Sequence, residues 1–275
     1  MKKITFLIGA TVGAFLACTG SPESKNPYKP TEESTVKTRE TILKEIEDTW
    51  RELGYSEKPV KYLALTYDDG PSQYSEQLLD ILAEKKVRAA FFLIGNNIGS
   101  RQAVVRRMRD EGHEIANHSR SHKPLGNAPR EDCETEIQDC TDAIFNATNA
   151  DGKPVRPAFF RPPNLSKGGG LYAACEKMGF PIIEGALSGD YNGGSNAASA
   201  RDQANAIIVG ARNWLIALNH DPQSGNPDNI LAAVPLMIDG LRADGYYLLT
   251  VGELLIMRGC GLTPGKVYND FENVP

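Results

Sequence analysis

The chain has 275 residues, of which 41% are hydrophobic and 24% charged, with a formal net charge of -5. That mix describes a globular protein able to bury a full core, and excludes a disordered or fibrous one. The acidic balance argues against general nucleic-acid binding, which needs clustered Lys and Arg, and no apolar run reaches the roughly 18 residues of a membrane span.

Lys2 and Lys3 open the chain, and residues 4–17 form a short apolar stretch. This pattern reads as a signal for export. The stretch ends in Phe15-Leu16-Ala17-Cys18, followed by Thr19, Gly20 and Ser21. Small residues before a Cys resemble a bacterial lipoprotein processing site, although Phe15 stands where Leu is usual. The resemblance implies that Cys18 is lipidated and becomes the mature N-terminus. Ordinary cleavage near Ala17 is the alternative. Residues 1–18 are therefore expected to be a signal peptide. The protein would be exported to the bacterial cell envelope and meet the membrane only through the lipid.

Residues 19–58 are expected to form a flexible tether and an N-terminal helix. Pro22, Pro27 and Pro30 lie among Ser, Thr, Lys and Glu, with few large apolar residues. Such a segment cannot bury a core. In residues 41–53 the spacing of Ile42, Ile46, Trp50 and Leu53 places them on one helix face, and Gly54 can end that helix. It is expected to pack on the main domain, residues 59–275.

From residue 60 onward, strand and helix patterns alternate. Strands are predicted near 62–66, 89–94, 113–117, 157–160, 181–186, 214–219 and 246–250. Leu78, Leu79, Ile81 and Leu82 mark a helix over 75–86, and a charged amphipathic helix covers 101–111. Gly112, Gly179 and Gly245 each end a helical stretch before an apolar strand. Glycine suits that position because it enters the left-handed region cheaply. Asn226-Pro227 is the matching start signal. Strict alternation implies a parallel sheet, open or closed. The glycine-rich stretches 168–170 and 193–194 match no nucleotide-binding pattern and read as loops.

Besides Cys18, the cysteines are Cys133, Cys140, Cys175 and Cys260. Cys133 and Cys140 are expected to share a helix, where seven residues put their Cα atoms about 10 Å apart, too far to bond. Pairings with Cys175 or Cys260 stay open, since export permits disulfides. The spacings suggest no zinc site.

Parallel α/β folds carry their chemistry at the C-terminal ends of strands. Asp68 and Asp69, His118 and His122, Arg161, Asp190 and His220 all fall there, from five separate strands. His118 and His122 have the i, i+4 spacing of one face of a helical turn. Two His and a carboxylate suit a borderline divalent ion and leave positions open. Taken alone, the His pair is more often incidental, Asp68-Asp69-Gly70 is more often a polar turn, and Arg161 is a surface residue before a proline turn. In the functional reading one aspartate holds an ion while the other stays free as a base, with Arg161 or the ion offsetting their repulsion. Asp190 and His220 could be unrelated, or an acid oriented by its partner. His113 reads as a junction residue without a role.

These residues resemble the polysaccharide deacetylases, the family 4 carbohydrate esterases. Five ordered blocks carry the resemblance: Thr66-Tyr67-Asp68-Asp69-Gly70 (TFDDG in the family), His118-Ser119-Arg120-Ser121-His122, Arg161-Pro162-Pro163, Asp190-Tyr191, and Leu218-Asn219-His220-Asp221. It spans roughly residues 59–258. The resemblance implies a distorted (β/α)7 barrel and one divalent ion, Zn²⁺ or Co²⁺, held by Asp69, His118 and His122. It implies Asp68 as general base, His220 as general acid, Arg161 as the residue orienting the base and Asp190 as the carboxylate tuning His220. Leu218 would line the acetyl-methyl pocket, and the backbone N–H of Asn164 would donate to the oxyanion. Asn164 stands where the family often has Tyr, and Tyr191 where it has Trp. These departures bear on the substrate rather than the reaction. The implied partner is an acetylated polysaccharide: peptidoglycan, a chitin-like oligomer or an exopolysaccharide. Alternatives are an O-acetyl esterase on acetylxylan-like glycans, a silent glycan-binding lipoprotein, or a structural envelope protein that would leave the polar rim unexplained.

Overall fold

The computed structural model describes residues 37–190, 199–222 and 226–274. Residues 1–36, with Cys18, and residues 191–198, with Tyr191, lie outside the described residues. The elements run α1 (Arg39–Glu52), β1 (Lys61–Gly70), α2 (Ser75–Glu84), β2 (Ala90–Leu93), α3 (Gly95–Ile98), α4 (Gln102–Asp110), β3 (Glu114–Asn117) and α5 (Arg130–Asn149). Then come α6 (Gly169–Met178), β4 (Ile182–Ile183), β5 (Leu187–Ser188), α7 (Ala200–Gly210), β6 (Leu215–His220), α8 (Pro227–Ala243), β7 (Tyr246–Leu249), α9 (Val251–Arg258) and β8 (Val267–Tyr268).

Every pairing between these strands is parallel. β1 lies at the centre, with β6 along one edge and both β7 and β2 along the other. β3 extends the sheet beyond β2. The ladder then thins to single bridges, Asn117 to Phe160 and Phe160 to Ile182. From there β4 pairs with β8, while β5 pairs with β6. The parallel contacts thus return to β6 by way of β1, β2, β3, Phe160 and the 182–188 segment. This circuit is the distorted (β/α)7 barrel.

Two of the expected strands are weaker than their apolar runs suggest. The 157–160 run contributes only the Phe160 bridge. Pro157, Pro162 and Pro163 around it lack the N–H a ladder needs. Within the 181–186 run only β4 is strand, and β5 begins just beyond it, after a break at Gly185. A Cβ there would sit 2.4 Å from Leu218 Cβ, so glycine lets this segment pass close over β6. Two glycines expected in a loop instead begin α6, where a Cβ on Gly170 would meet Ala128 O at 2.3 Å. Gly112, Gly179 and Gly245 take φ of 79°, 83° and 81°, as helix stops require.

In α1, Ile42, Ile46 and Trp50 are buried in one cluster with Val251 and Leu254 of α9. Leu53, expected on that face, is instead the half-buried C-cap. Lys37 and Arg88 both pair with Glu45 of α1 and Glu253 of α9, fastening the helix from outside. All four described cysteines are buried and free, so none of the pairings left open is formed. His113 is buried, accepts the Ala89 N–H through Nδ1 at 3.1 Å, and burial lowers it to about 4.

Glu114 opens β3 and accepts the Gly252 N–H at the start of α9, 3.0 Å away. Burial pushes its carboxyl up to about 7, Glu253 adds to the rise, and the α9 amides oppose it. The folded chain therefore keeps a proton there that the unfolded chain releases above the ordinary carboxylate range. That stabilisation is complete at low pH and is lost as pH rises through about 7. Glu114→Gln is expected to raise Tm at pH 8 by about 2–4 °C and to change it little at pH 4. Thermal melts at both values check this; equal gains at both would place the effect elsewhere.

Candidate active site

The C-terminal end of β1 separates two adjacent carboxylates. The register of β1 against β2 shifts between Asp68 and Gly70, leaving Asp69 as the extra residue of a bulge with φ of 71°. A bulge re-aims side chains that would otherwise alternate. Asp68 is 3% exposed and bonded to Arg161, while Asp69 turns toward the two histidines.

Those histidines follow β3 on a tight loop, not on a helical turn. Ser119 and His122 have φ of 65° and 61°, which a helix excludes. Side chains hold the loop in that shape. Asn117 Oδ1 accepts the Ser119 N–H at 2.8 Å, and its Nδ2 donates to Ile137 O at 2.8 Å. Ser119 Oγ accepts the His122 N–H at 3.1 Å, and Glu136 accepts from Ser121 N and Oγ at 2.8 and 2.6 Å. His118 Nδ1 lies 2.7 Å from Arg161 O, a carbonyl that only accepts. Nδ1 therefore carries the proton, and Nε2 presents its lone pair to the site.

Asp69 Oδ1 lies 3.3 Å from His118 Nε2 and 3.1 Å from His122 Nε2. Burial would raise the Asp69 carboxyl, but the two imidazoles outweigh it and hold it well below the usual range. Asp69 in turn raises His122. Asp69 Oδ1 is nonetheless a buried atom without a hydrogen-bond partner among the described residues. One ligand atom from each of Asp69, His118 and His122 lies within 4.8 Å of the others. An orphaned carboxylate oxygen facing the Nε2 atoms of two imidazoles makes a donor set that fits a divalent cation.

Arg161 follows Phe160 and is completely buried. Its Nη1 donates to Asp68 Oδ1 at 2.5 Å and Thr66 Oγ1 at 2.9 Å, and its Nε to Ile183 O at 2.9 Å. Nη2 donates to Glu184 O at 3.2 Å, and the guanidinium lies 3.9 Å from the centre of the Phe92 ring. Arg161 is thus a strut through the barrel interior, not a surface residue.

β6 supplies His220, whose Cα is the register partner of Asp68. Its Nδ1 lies 3.0 Å from Asp190 Oδ1, and its backbone N–H donates to Asp190 Oδ2. Burial would lower the imidazole, but the Asp190 bond and the charges of Asp190, Asp68 and Asp69 raise it to about 9. Leu218, two residues earlier, pairs with both Thr66 and Ser188 beside this pair. Asn164 is exposed, and Asn164 and Leu165 turn the chain with φ of 53° and 51° after Pro162-Pro163. Tyr191 falls outside the described residues.

The motifs assign no role to the groups that hold these residues in place. Asp221 is buried and accepts from Ser72 Oγ and Ser75 Oγ, each at 2.5 Å, and its N–H donates to Asp68 O at 2.8 Å. Burial raises its carboxyl to about 6. A Cβ on Gly70 would stand 2.7 Å from Asp221 Oδ2, so the block's glycine makes room for this brace. Its place as the last residue of the fifth block was the one sequence signal for Asp221. Asn117 and Glu136 had none.

A sequence profile of the polysaccharide deacetylases matches residues 55–183. A bifunctional xylanase/deacetylase of Pseudobutyrivibrio xylanivorans is 34% identical over 228 residues, 82% of this chain; the chain spans only 35% of that protein. A chitin deacetylase of Colletotrichum lindemuthianum is 33% identical over 204 residues, 70% of this chain and 79% of the relative. Relatives also include a peptidoglycan-N-acetylglucosamine deacetylase of Bacillus cereus, 29% identical over 71% of this chain and 88% of its own. Among solved structures, a family 4 acetyl xylan esterase from Clostridium thermocellum in complex with a cobalt ion superposes with a TM-score of 0.70. It is 31% identical over 77% of this chain and 100% of that one. With the parallel barrel and its rim of carboxylates and imidazoles, these similarities show that the chain belongs to the polysaccharide deacetylase family.

Proposed function

We propose that the protein is an exported, metal-dependent hydrolase that removes acetyl groups from an N-acetylated glycan of the cell envelope and releases acetate. One observation carries the reading. Asp68 and His220 are register partners on neighbouring strands, and the Asp69, His118 and His122 cluster stands beside them.

Asp69, His118 and His122 would hold the ion, Zn²⁺ or Co²⁺. When bound, the ion supplies a more acidic water and a polarised acetyl carbonyl. Arg161 takes Asp68 Oδ1 and leaves Oδ2 toward the cluster, 3.8 Å from His118 Nε2. Asp68 is therefore placed to accept the proton of the attacking water. The Asn164 N–H donates to the developing oxyanion, and removing such a donor can cost roughly 10²–10³ in rate. Leu218 packs against the acetyl methyl. His220, with a proton held to about 9, is ready to protonate the leaving sugar amine at neutral pH. Asp190 orients the imidazole and stabilises its charged form.

Export and a lipid at Cys18 place the enzyme beside peptidoglycan, which makes that the first substrate, with chitin-like oligomers and exopolysaccharide after it. No described helix is long and apolar enough to cross a membrane; the anchor proposed is the lipid at Cys18. A second reading, O-deacetylation of acetylxylan, is favoured by the likeness to the acetyl xylan esterase and the xylanase/deacetylase.

Acetate release from peptidoglycan, chitin oligomers and acetylxylan tests both, using the chain without residues 1–18. Release is expected to vanish on chelation and return with Zn²⁺ or Co²⁺. Release that survives complete removal of the metal would refute the mechanism, and the ranking of substrates decides between amide and ester.

A further inference from the structure

Tyr67 is the one residue of the β1 block that departs from TFDDG. Its ring stacks on Phe91, with centroids 5.5 Å apart, and the residue is 1% exposed. Its hydroxyl, the only atom by which it differs from Phe, is buried without a hydrogen-bond partner among the described residues. Tyr67 lines a small cavity together with Asp190, Gln203 and Asn219, closed on the far side by apolar residues of α7 and α8. Burying an unpaired hydroxyl is unfavourable, and a mostly apolar pocket about the size of one water, with Asp190, Gln203 and Asn219 also on its wall, leaves room for a partner.

Asp190 has a matching need. A carboxylate offers about four acceptor positions. Ser188 Oγ, His220 Nδ1 and the His220 N–H engage three of them. We propose that the cavity binds one ordered water, which accepts from Tyr67 Oη and donates to Asp190, with Gln203 completing its shell. The water fixes the rotation of the Asp190 carboxylate from behind, and through it the ring of His220. Tyr67 and Gln203 are then positioning residues for the acid, on the side of the barrel away from the substrate. The kinetic arm rests on the proposed deacetylase reading; the crystallographic arm does not.

Crystal structures of the wild type and of Tyr67→Phe, at a resolution that shows waters, test the site directly. The wild type is expected to show a water within hydrogen-bond distance of Tyr67 Oη and Asp190, and Tyr67→Phe to lose it. On an acetylated oligosaccharide, kcat of Tyr67→Phe is expected to fall about three- to tenfold with KM unchanged. Gln203→Leu should act in the same direction, and Zn²⁺ affinity by calorimetry should not change in either variant. No ordered water in the wild type overturns the proposal. So does a Tyr67→Phe variant with undiminished kcat, or one whose Zn²⁺ affinity falls along with kcat, since that places the effect at Asp69. If the wild type cleaves no acetylated glycan, the deacetylase reading fails while the water site is still decided by the density.

Discussion

Asp68→Asn is expected to retain the divalent ion and to lose about 10²–10⁴-fold in kcat, the usual contribution of a positioned general base. The substitution keeps the shape and an oxygen for Arg161 Nη1, now 2.5 Å from Asp68 Oδ1. What it removes is the capacity to take a proton. Asp69, on the other side of the bulge, is untouched, so calorimetry should find Zn²⁺ binding close to the wild type. An Asp68→Asn enzyme with full turnover would end the assignment of Asp68 as base. One that lost its metal would move Asp68 into the ligand set.

Arg161→Met is expected to destabilise the fold by about 3–5 kcal/mol, the typical penalty for stripping one partner from a buried ion pair. Arg161 and Asp68 are both buried, and the guanidinium also satisfies Thr66 Oγ1 and the carbonyls of Ile183 and Glu184. Those acceptors come from β1 and from the segment that closes the barrel, so their loss is spread over the circuit. The double variant Asp68→Asn, Arg161→Met should recover part of the loss, because it no longer buries an unpaired carboxylate. Urea unfolding of the two single variants and the double variant measures the coupling. A single-variant loss under about 1 kcal/mol would mean that Asp68 finds another counter-charge.

The legible part of this protein was local. Glycine after a helix and Asn-Pro before one are fixed by backbone sterics within a few residues, and these marks fell where the helices end and begin. Apolar runs located the strands, and counting forward to their ends located Asp68, His118, Arg161 and His220. The illegible part was relational. The i, i+4 spacing of His118 and His122 resembles a helical turn, and only the bonds to Asn117 and Glu136 show why the chain makes a loop instead. Arg161 was legible as a partner of Asp68, but its burial was not, since nothing nearby in sequence announces Thr66, Ile183 or the Phe92 ring. The break at Gly185 depends on Leu218, 33 residues further along the chain. Asp221 braces β1 through Ser72 and Ser75, serines that carry no signal of their own.

The central place of β1 has a consequence for how the site comes apart. β1 is paired along both edges, to β6 on one side and to β2 and β7 on the other, and its end carries Asp68 and Asp69. An edge strand can fray and re-form without disturbing the rest, but a strand held on both sides opens only when the sheet does. Asp68 and Asp69 therefore belong to the most cooperative unit of the molecule, and the candidate site has no melting transition of its own. Whatever tightens the barrel elsewhere, such as the α1 clasp on α9, also lengthens the lifetime of the chemistry.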